Sequence, residues 1–245
     1  MSTSADPTWR QWQGHALIVG GGGIGRALLE QLQDQAPGLQ LHLATRTPQP
    51  GDACRLDLSD DASLQALKER AEAQWQPLRL VINTAGVLHG SGLQPEKRLA
   101  AVERRALETS FAINAFGPLL LAQAIAAALP GDQPSHFASL SARVGSIGDN
   151  QLGGWYAYRG AKAAQNQLLR TLAIEWRRRL PGCCVSLLHP GTTATALSRP
   201  FSGSVQADRL FPPARAANHL LQVLEGLTAA DSGGFWAWDG QAIPW

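Results

Sequence analysis

Apolar residues along this chain fall into short runs of strand length, separated by longer amphipathic stretches. Residues 16–20, 41–44, 79–83, 135–140 and 183–188 are nearly all apolar, as strands buried on both faces should be. Residues 235–238 read as a last strand and 53–56 as a weaker one. Helical spacing marks 23–35, 63–74, 99–129, 152–180 and 213–227. Ser59, Asp60 and Asp61 offer caps to the second of these helices. Strands that alternate with helices predict parallel pairing through right-handed crossovers, with helices on both faces. The expected architecture is a single α/β domain over residues 1–245, a doubly wound Rossmann-type parallel sheet of about seven strands. Residues 1–13 read as an N-terminal extension. No repeat, linker or low-complexity tract divides the chain.

Composition narrows the partners. Hydrophobic residues make up 44% and charged residues 16% of the 245, with a formal charge of +2. That suits a compact protein and is too mild and too evenly spread to point to nucleic acid or an anionic membrane. The one basic run, Arg177-Arg178-Arg179, fits the last turn of a helix, where cations meet the negative dipole end. The apolar stretch 111–129 is interrupted by Asn114, Gly117, Pro118 and Gln123 and reads as a buried helix rather than a membrane span. Cys183 and Cys184 are adjacent and Cys54 is distant, which suits buried thiols in a reducing compartment. The first residues lack a basic-then-apolar signal pattern, so cytoplasm is the expectation. Six scattered histidines have no metal-ligand spacing, and no metal site is expected.

Ligands of such a sheet bind beyond the C-terminal strand ends, and the motifs lie there. Gly20, Gly22 and Gly25, with Gly23 and Ile24 between, fit G-x-G-x-x-G after the first strand and before the first helix. This pattern gives a tight turn, a close approach to a pyrophosphate, and helix N–H groups turned toward the phosphates. An acidic residue about twenty positions further on would select NAD. The corresponding segment Leu43-Ala44-Thr45-Arg46-Thr47 has none. Arg46 instead suits a 2′-phosphate, so NADP(H) is the expected cofactor, with NAD as the alternative.

Tyr158 and Lys162 are four residues apart and share a helix face. A free tyrosine titrates near 10; a neighbouring ammonium and a positive nicotinamide ring are expected to lower that value and make the phenol an acid–base group. The chain has three lysines, at 68, 97 and 162, and two tyrosines, at 156 and 158; Tyr158 alone has a lysine four residues on.

With these residues in place, the chain resembles the short-chain dehydrogenase/reductase family from the glycine loop to the C-terminus. The Y-x-x-x-K signature matches Tyr158 and Lys162, and the family's N-N-A-G is similar to Asn83-Thr84-Ala85-Gly86. Asp57-Leu58 resembles the pair beside the adenine. Asn114 resembles the helix asparagine of a proton relay. Pro190-Gly191-Thr192, with Thr195, resembles the nicotinamide carboxamide segment. Further likeness is to a C-factor-like and sniffer-like carbonyl reductase branch, in residues 141–147, 153–156 and 238–245. Two departures stand out. The glycine turn is one residue short and lacks the family's threonine, and the second serine of the family's pair is Ala142. Ser141 is the expected carbonyl-orienting residue, with Ser139 and Ser146 as its rivals.

The resemblance implies an NADPH-dependent reductase of aldehydes or ketones, or the reverse alcohol dehydrogenase, acting on a small molecule. Ser141 would polarise the carbonyl, Tyr158 protonate it, Lys162 tune the tyrosine and hold the ribose, and Asn114 support the relay. Residues 196–212 would form a substrate loop, with Leu197, Phe201 and Leu210 making the pocket apolar, and Trp155 and Tyr156 lie beside the tyrosine. Relatives of this kind form homodimers or homotetramers through their long helices. The alternatives are a non-catalytic dinucleotide-binding sensor or signalling protein, and an epimerase or dehydratase. The last usually carries a larger C-terminal domain than the fifty residues that follow Thr195 here.

Overall fold

A computed structural model of the chain describes residues 9–90, 92–204 and 206–245. The first eight residues of the expected extension, Ser91, and Val205 of the expected substrate loop lie outside the described residues.

The elements follow in order: β1 (Gly14–Val19), α1 (Gly23–Gln35), β2 (Leu39–Thr45), β3 (Cys54–Arg55), α2 (Asp61–Gln74), β4 (Leu78–Asn83), α3 (Arg104–Phe111), α4 (Gly117–Ile125), β5 (Ser135–Leu140), α5 (Tyr156–Arg179), β6 (Cys183–His189), β7 (Thr192–Thr193), β8 (Leu210–Phe211), α6 (Pro213–Gly226) and β9 (Gly234–Ala237). Seven strands form one sheet in the order β3-β2-β1-β4-β5-β6-β9, every neighbouring pair parallel. β7 and β8 pair separately beside it.

Alternation along the strands divides the core into two layers. Leu17, Val19 and Phe137 pack with Leu64, Leu67, Leu121, Ile125, Leu169 and Trp176 from α2, α4 and α5. Ala16, Ile18, Leu80 and Ile82 pack with Leu28, Leu32, Leu220, Leu221 and Leu224 from α1 and α6. Both strand faces are therefore dry, the physical cause of the continuous apolar runs. Each fully buried leucine here is worth about 1.5–3 kcal/mol relative to exposure.

Three boundaries differ from expectation. Helix α2 begins two residues early because Asp60 is its cap, accepting from Ala62 N at 3.1 Å. The expected helix over 99–129 is broken. Leu99–Ala101 is a separate 3-10 turn, and a wide π turn over Ala112–Phe116 joins α3 to α4. Extended backbone at Val102 and Glu103 makes the first break; Pro118 explains the π turn, since it has no N–H for the carbonyl four residues back and its ring crowds that carbonyl. The segment Arg104–Ala128 is apolar and long enough to cross a membrane, yet Leu121, Ala122 and Ile125 are buried to zero exposure within the core layer.

Helix α5 starts at Tyr156 rather than 152 because Gly153, Gly154 and Trp155 all take left-handed backbone, with φ of 63°, 67° and 52°. Trp155 carries a side chain in this region at some cost. Glu96, from the loop after β4, holds it there. Its carbonyl accepts from Trp155 N, and its buried carboxylate accepts from Ala157 N at 3.2 Å.

The end of the expected N-terminal extension is part of the core. Trp9 and Trp12 are buried, and both rings pack on buried His136 at the N-terminal end of β5.

Candidate functional site

β1 and β4 are neighbours whose helices leave toward opposite faces, and a cleft of about 530 Å³ opens beyond their C-terminal ends, where such sheets bind ligands. One wall is the glycine turn. Gly20 has φ of +106°, and a Cβ on Gly25 would lie 1.9 Å from Gly20 O, so neither position tolerates a side chain. Gly22 caps α1 with no side-chain hydrogen bond, leaving the first-turn N–H groups of Gly23, Ile24 and Gly25, all of which line the cleft, free of intrahelical partners.

Arg46, at the end of β2, is exposed on the cleft rim and has no hydrogen-bond or ion-pair partner among the described residues. Arg26 nearby is different, being paired with Asp52 at 3.1 Å. Asp57 also lines the cleft, and the hydroxyl and N–H of Ser59 hold its carboxyl below the usual range, with Arg46 adding to the effect. Leu58, Ala85 and Gly86 complete this end.

At the other end Ser141, Tyr158 and Lys162 meet Pro190 and Thr195. Lys162 is buried. Its Nζ donates to Leu140 O at 2.8 Å and to Gln165 Oε1 at 2.9 Å, and it lies 5.7 Å from the centre of the Tyr158 ring. Burial pushes the lysine down to about 7 and pushes the tyrosine above its ordinary value. Burial thus works against the lowering expected from Lys162 and a positive nicotinamide ring. Desolvation penalises both charged forms, and the ammonium is turned to a carbonyl and an amide. The phenol is therefore protonated at neutral pH, the form that donates.

Of the three candidate serines, Ser141 alone lines the cleft. It donates to Asn166 Oδ1 at 2.6 Å. Ser139 is buried behind it and accepts from Asn83 Nδ2 at 3.0 Å and Gln165 Nε2 at 2.8 Å. Ser146 is buried in the following turn and accepts from Asp149 N.

Four expected site residues stand behind or beside the cleft wall. Asn83 is fully buried, its Oδ1 accepting from Ala85 N at 3.1 Å. Asn114, on the π turn, clasps Val87 by accepting from its N–H at 2.9 Å and donating to its carbonyl at 2.8 Å, while also donating to Ser110 Oγ. Gly191 and Thr192 fall outside the lining, Thr192 being paired with Leu210 of β8. Leu197 lines the cleft. Phe201 packs on Trp155 and His89, and His89 Nε2 donates to Ala196 O at 3.1 Å, tying the 196–204 segment across the mouth.

Residues not anticipated include His89, Ile113, Gln165, Asn166 and Glu96. Gln165 and Asn166 had a signal: they sit three and four positions beyond Lys162, hence on its helix face. Glu96 had none, since it acts from a loop about sixty residues before the helix that it caps.

A glycine-lined helix N-terminus and a tyrosine–lysine pair in one cleft at the switch point of a parallel sheet define a dinucleotide-dependent oxidoreductase. A family model described as short chain dehydrogenase matches residues 14–205, and the chain belongs to the short-chain dehydrogenase/reductase family, whose members act on CH–OH or C=O groups with NAD(P). Among curated relatives, 1-hydroxy-2-glutathionyl-2-methyl-3-butene dehydrogenase of Rhodococcus sp. (strain AD45) is 30% identical over 239 residues, covering 94% of this chain and 98% of the relative. The C-signal protein of Myxococcus xanthus is 34% identical over 169 residues, 69% of this chain and 93% of the relative. Among solved structures, NADPH-bound carbonyl reductase from chicken fatty liver superimposes with a TM-score of 0.81 at 25% identity, covering 95% of this chain and 99% of that one. Carbonyl reductase Sniffer of D. melanogaster, at 22% identity, has the same fold, with a TM-score of 0.79 over 96% of this chain and all of that one.

Proposed function

We propose that this protein is an NADPH-dependent carbonyl reductase of aldehydes or ketones, running in reverse as an alcohol dehydrogenase. The observation that carries the reading is the convergence of Ser141, Tyr158 and Lys162 on the cleft whose far end is the glycine turn and Arg46.

The cleft suits a dinucleotide. The α1 N-terminus lacks a side-chain cap, which leaves N–H groups for a pyrophosphate. Arg46, an exposed cation without a hydrogen bond or ion pair among the described residues, suits the 2′-phosphate that distinguishes NADPH from NADH. Asp57, Leu58, Ala85 and Gly86 would take the adenosine end, and Pro190 and Thr195 the nicotinamide end, with Asn83, Gly191 and Thr192 shaping the backbone on either side. The bound cofactor supplies the hydride.

The chain's own residues handle the proton. Tyr158, protonated at neutral pH, donates its phenolic proton to the substrate oxygen. Ser141 donates a hydrogen bond to the same oxygen and so orients the carbonyl. Lys162 sits under the tyrosine ring and holds the ribose, and Asn114 supports the relay by fixing Val87 and the π turn. Residues 196–212 act as the substrate loop of a single domain. Oxidation of NADPH by members of a panel of aldehydes, ketones, diketones and quinones tests the reading. Tight NADPH binding without turnover on any of them would instead favour a signalling protein of this fold, an alternative to which the likeness to C-signal lends weight.

The protein is proposed to work in the cytoplasm as a homodimer or homotetramer, without nucleic acid or membrane. Half-exposed Phe116 and Ile174, beside α4 and on α5, supply apolar surface for pairing these helices. Light scattering of the purified chain measures the assembly directly.

A further inference from the structure

The turn between β1 and α1 has no polar side chain with which to hold its own shape. From residue 20 to 25 it contains five glycines and Ile24, and each glycine loses more freedom on folding than any other residue. Anchoring comes from another strand. Thr84, the first residue after β4, donates through Oγ1 to Val19 O at 2.9 Å and Gly20 O at 3.2 Å. Its backbone N–H donates to Val19 O at 2.7 Å.

The fit around this hydroxyl is close. A Cβ on Gly20 would lie 2.6 Å from Thr84 Oγ1, and one on Gly25 would lie 2.9 Å from the same atom. The space left by Gly20 and Gly25 is thus occupied by the threonine hydroxyl. Thr84 also lines the cleft. A loop already fixed in its binding shape loses less entropy when a ligand arrives.

We propose that Thr84 is a positioning residue for the pyrophosphate of the cofactor: its hydroxyl locks the glycine turn in the shape that presents the first N–H groups of α1. The inference rests on the dinucleotide reading above. It also accounts for a glycine turn that has no threonine of its own.

Calorimetric binding of NADPH and of adenosine 2′-monophosphate, which lacks the pyrophosphate, tests it on wild type and on Thr84→Val, Thr84→Ala and Thr84→Ser. The valine and alanine chains should bind NADPH about tenfold more weakly, the loss expected for a neutral hydrogen bond. All chains should bind adenosine 2′-monophosphate alike, and the serine chain should regain the NADPH affinity. NADPH affinity unchanged in the valine chain overturns the proposal, as does an equal loss for both ligands or a serine chain no better than valine. Should the valine chain not fold, the alanine chain decides by the same outcomes. A wild-type chain that binds neither NADPH nor NADH overturns the cofactor reading itself, and this inference with it.

Discussion

Ser141 Oγ donates to Asn166 Oδ1 at 2.6 Å, and Asn166 Nδ2 donates to Gly145 O at 3.3 Å, which fixes the amide in the orientation that receives the serine proton. To act on a substrate oxygen Ser141 must turn that proton into the cleft, so Asn166 and the substrate compete for it. Ser141→Ala should lower kcat/KM by about 10²–10³ with the fold intact. Ser139→Ala leaves the Asn83 amide without its buried acceptor and Gln165 Nε2 with only Leu140 O at 3.3 Å, so it should cost stability, about 1–3 kcal/mol. Ser146→Ala should change turnover little. Rates and urea midpoints of the three variants separate these roles; full turnover in Ser141→Ala would remove the serine from the chemistry.

Tyr158→Phe keeps the ring and deletes the transferable proton. Turnover should fall by about 10²–10⁴ while NADPH binding, followed by fluorescence, stays within a factor of about two. Tyr156, 42% exposed and outside the cleft, is the control, and Tyr156→Phe should be mild. A Tyr158→Phe enzyme as fast as wild type would end the proposed proton transfer.

Arg46→Ala should weaken NADPH by about 10–100-fold, the range for hydrogen bonds to a charged group, and leave NADH nearly untouched. Parallel titrations with the two cofactors measure this. Equal losses, or a wild type that prefers NADH, would contradict the assignment.

Stability should fall in mild acid. Burial pushes His136 down to about 4, so between about pH 6.5 and 4 the unfolded chain binds a proton that the folded chain refuses. Unfolding free energy therefore drops as pH falls through this window, by about 3 kcal/mol from this histidine. His42 and His189, also pushed down to about 4 by burial, add in the same direction. Urea unfolding at pH 7.5 and 4.5 should show a smaller drop for His136→Leu than for wild type; identical drops would assign the acid sensitivity elsewhere.

The sheet was legible because strands buried on both faces, such as β4 and β5, leave unbroken apolar runs that no surface strand would show. The four-residue spacing of Tyr158 and Lys162 was legible for the same kind of reason, since a helix turns spacing into a shared face. The break at the π turn was masked because Leu119, Leu120 and Leu121 continue an apolar helix, with Gly117 and Pro118 as the local signals. The buried network from Lys162 through Gln165 and Ser139 to Asn83 depends on where three elements meet, and spacing within one element carries no record of that. Thr84 was read as part of a strand-end motif, but its partners Val19 and Gly20 lie more than sixty residues earlier.

Trp9, Trp12 and His136 close the sheet at the end of β5 that lies about 16 Å from Ser141, a strand's length away. Arg79 stacks over Trp12 at 4.5 Å there as well. Heat tolerance and turnover are consequently adjustable by separate hands. Rebuilding this aromatic plug would move the melting temperature while leaving the Michaelis parameters where they were, so an engineer can harden the protein from below without retuning it above.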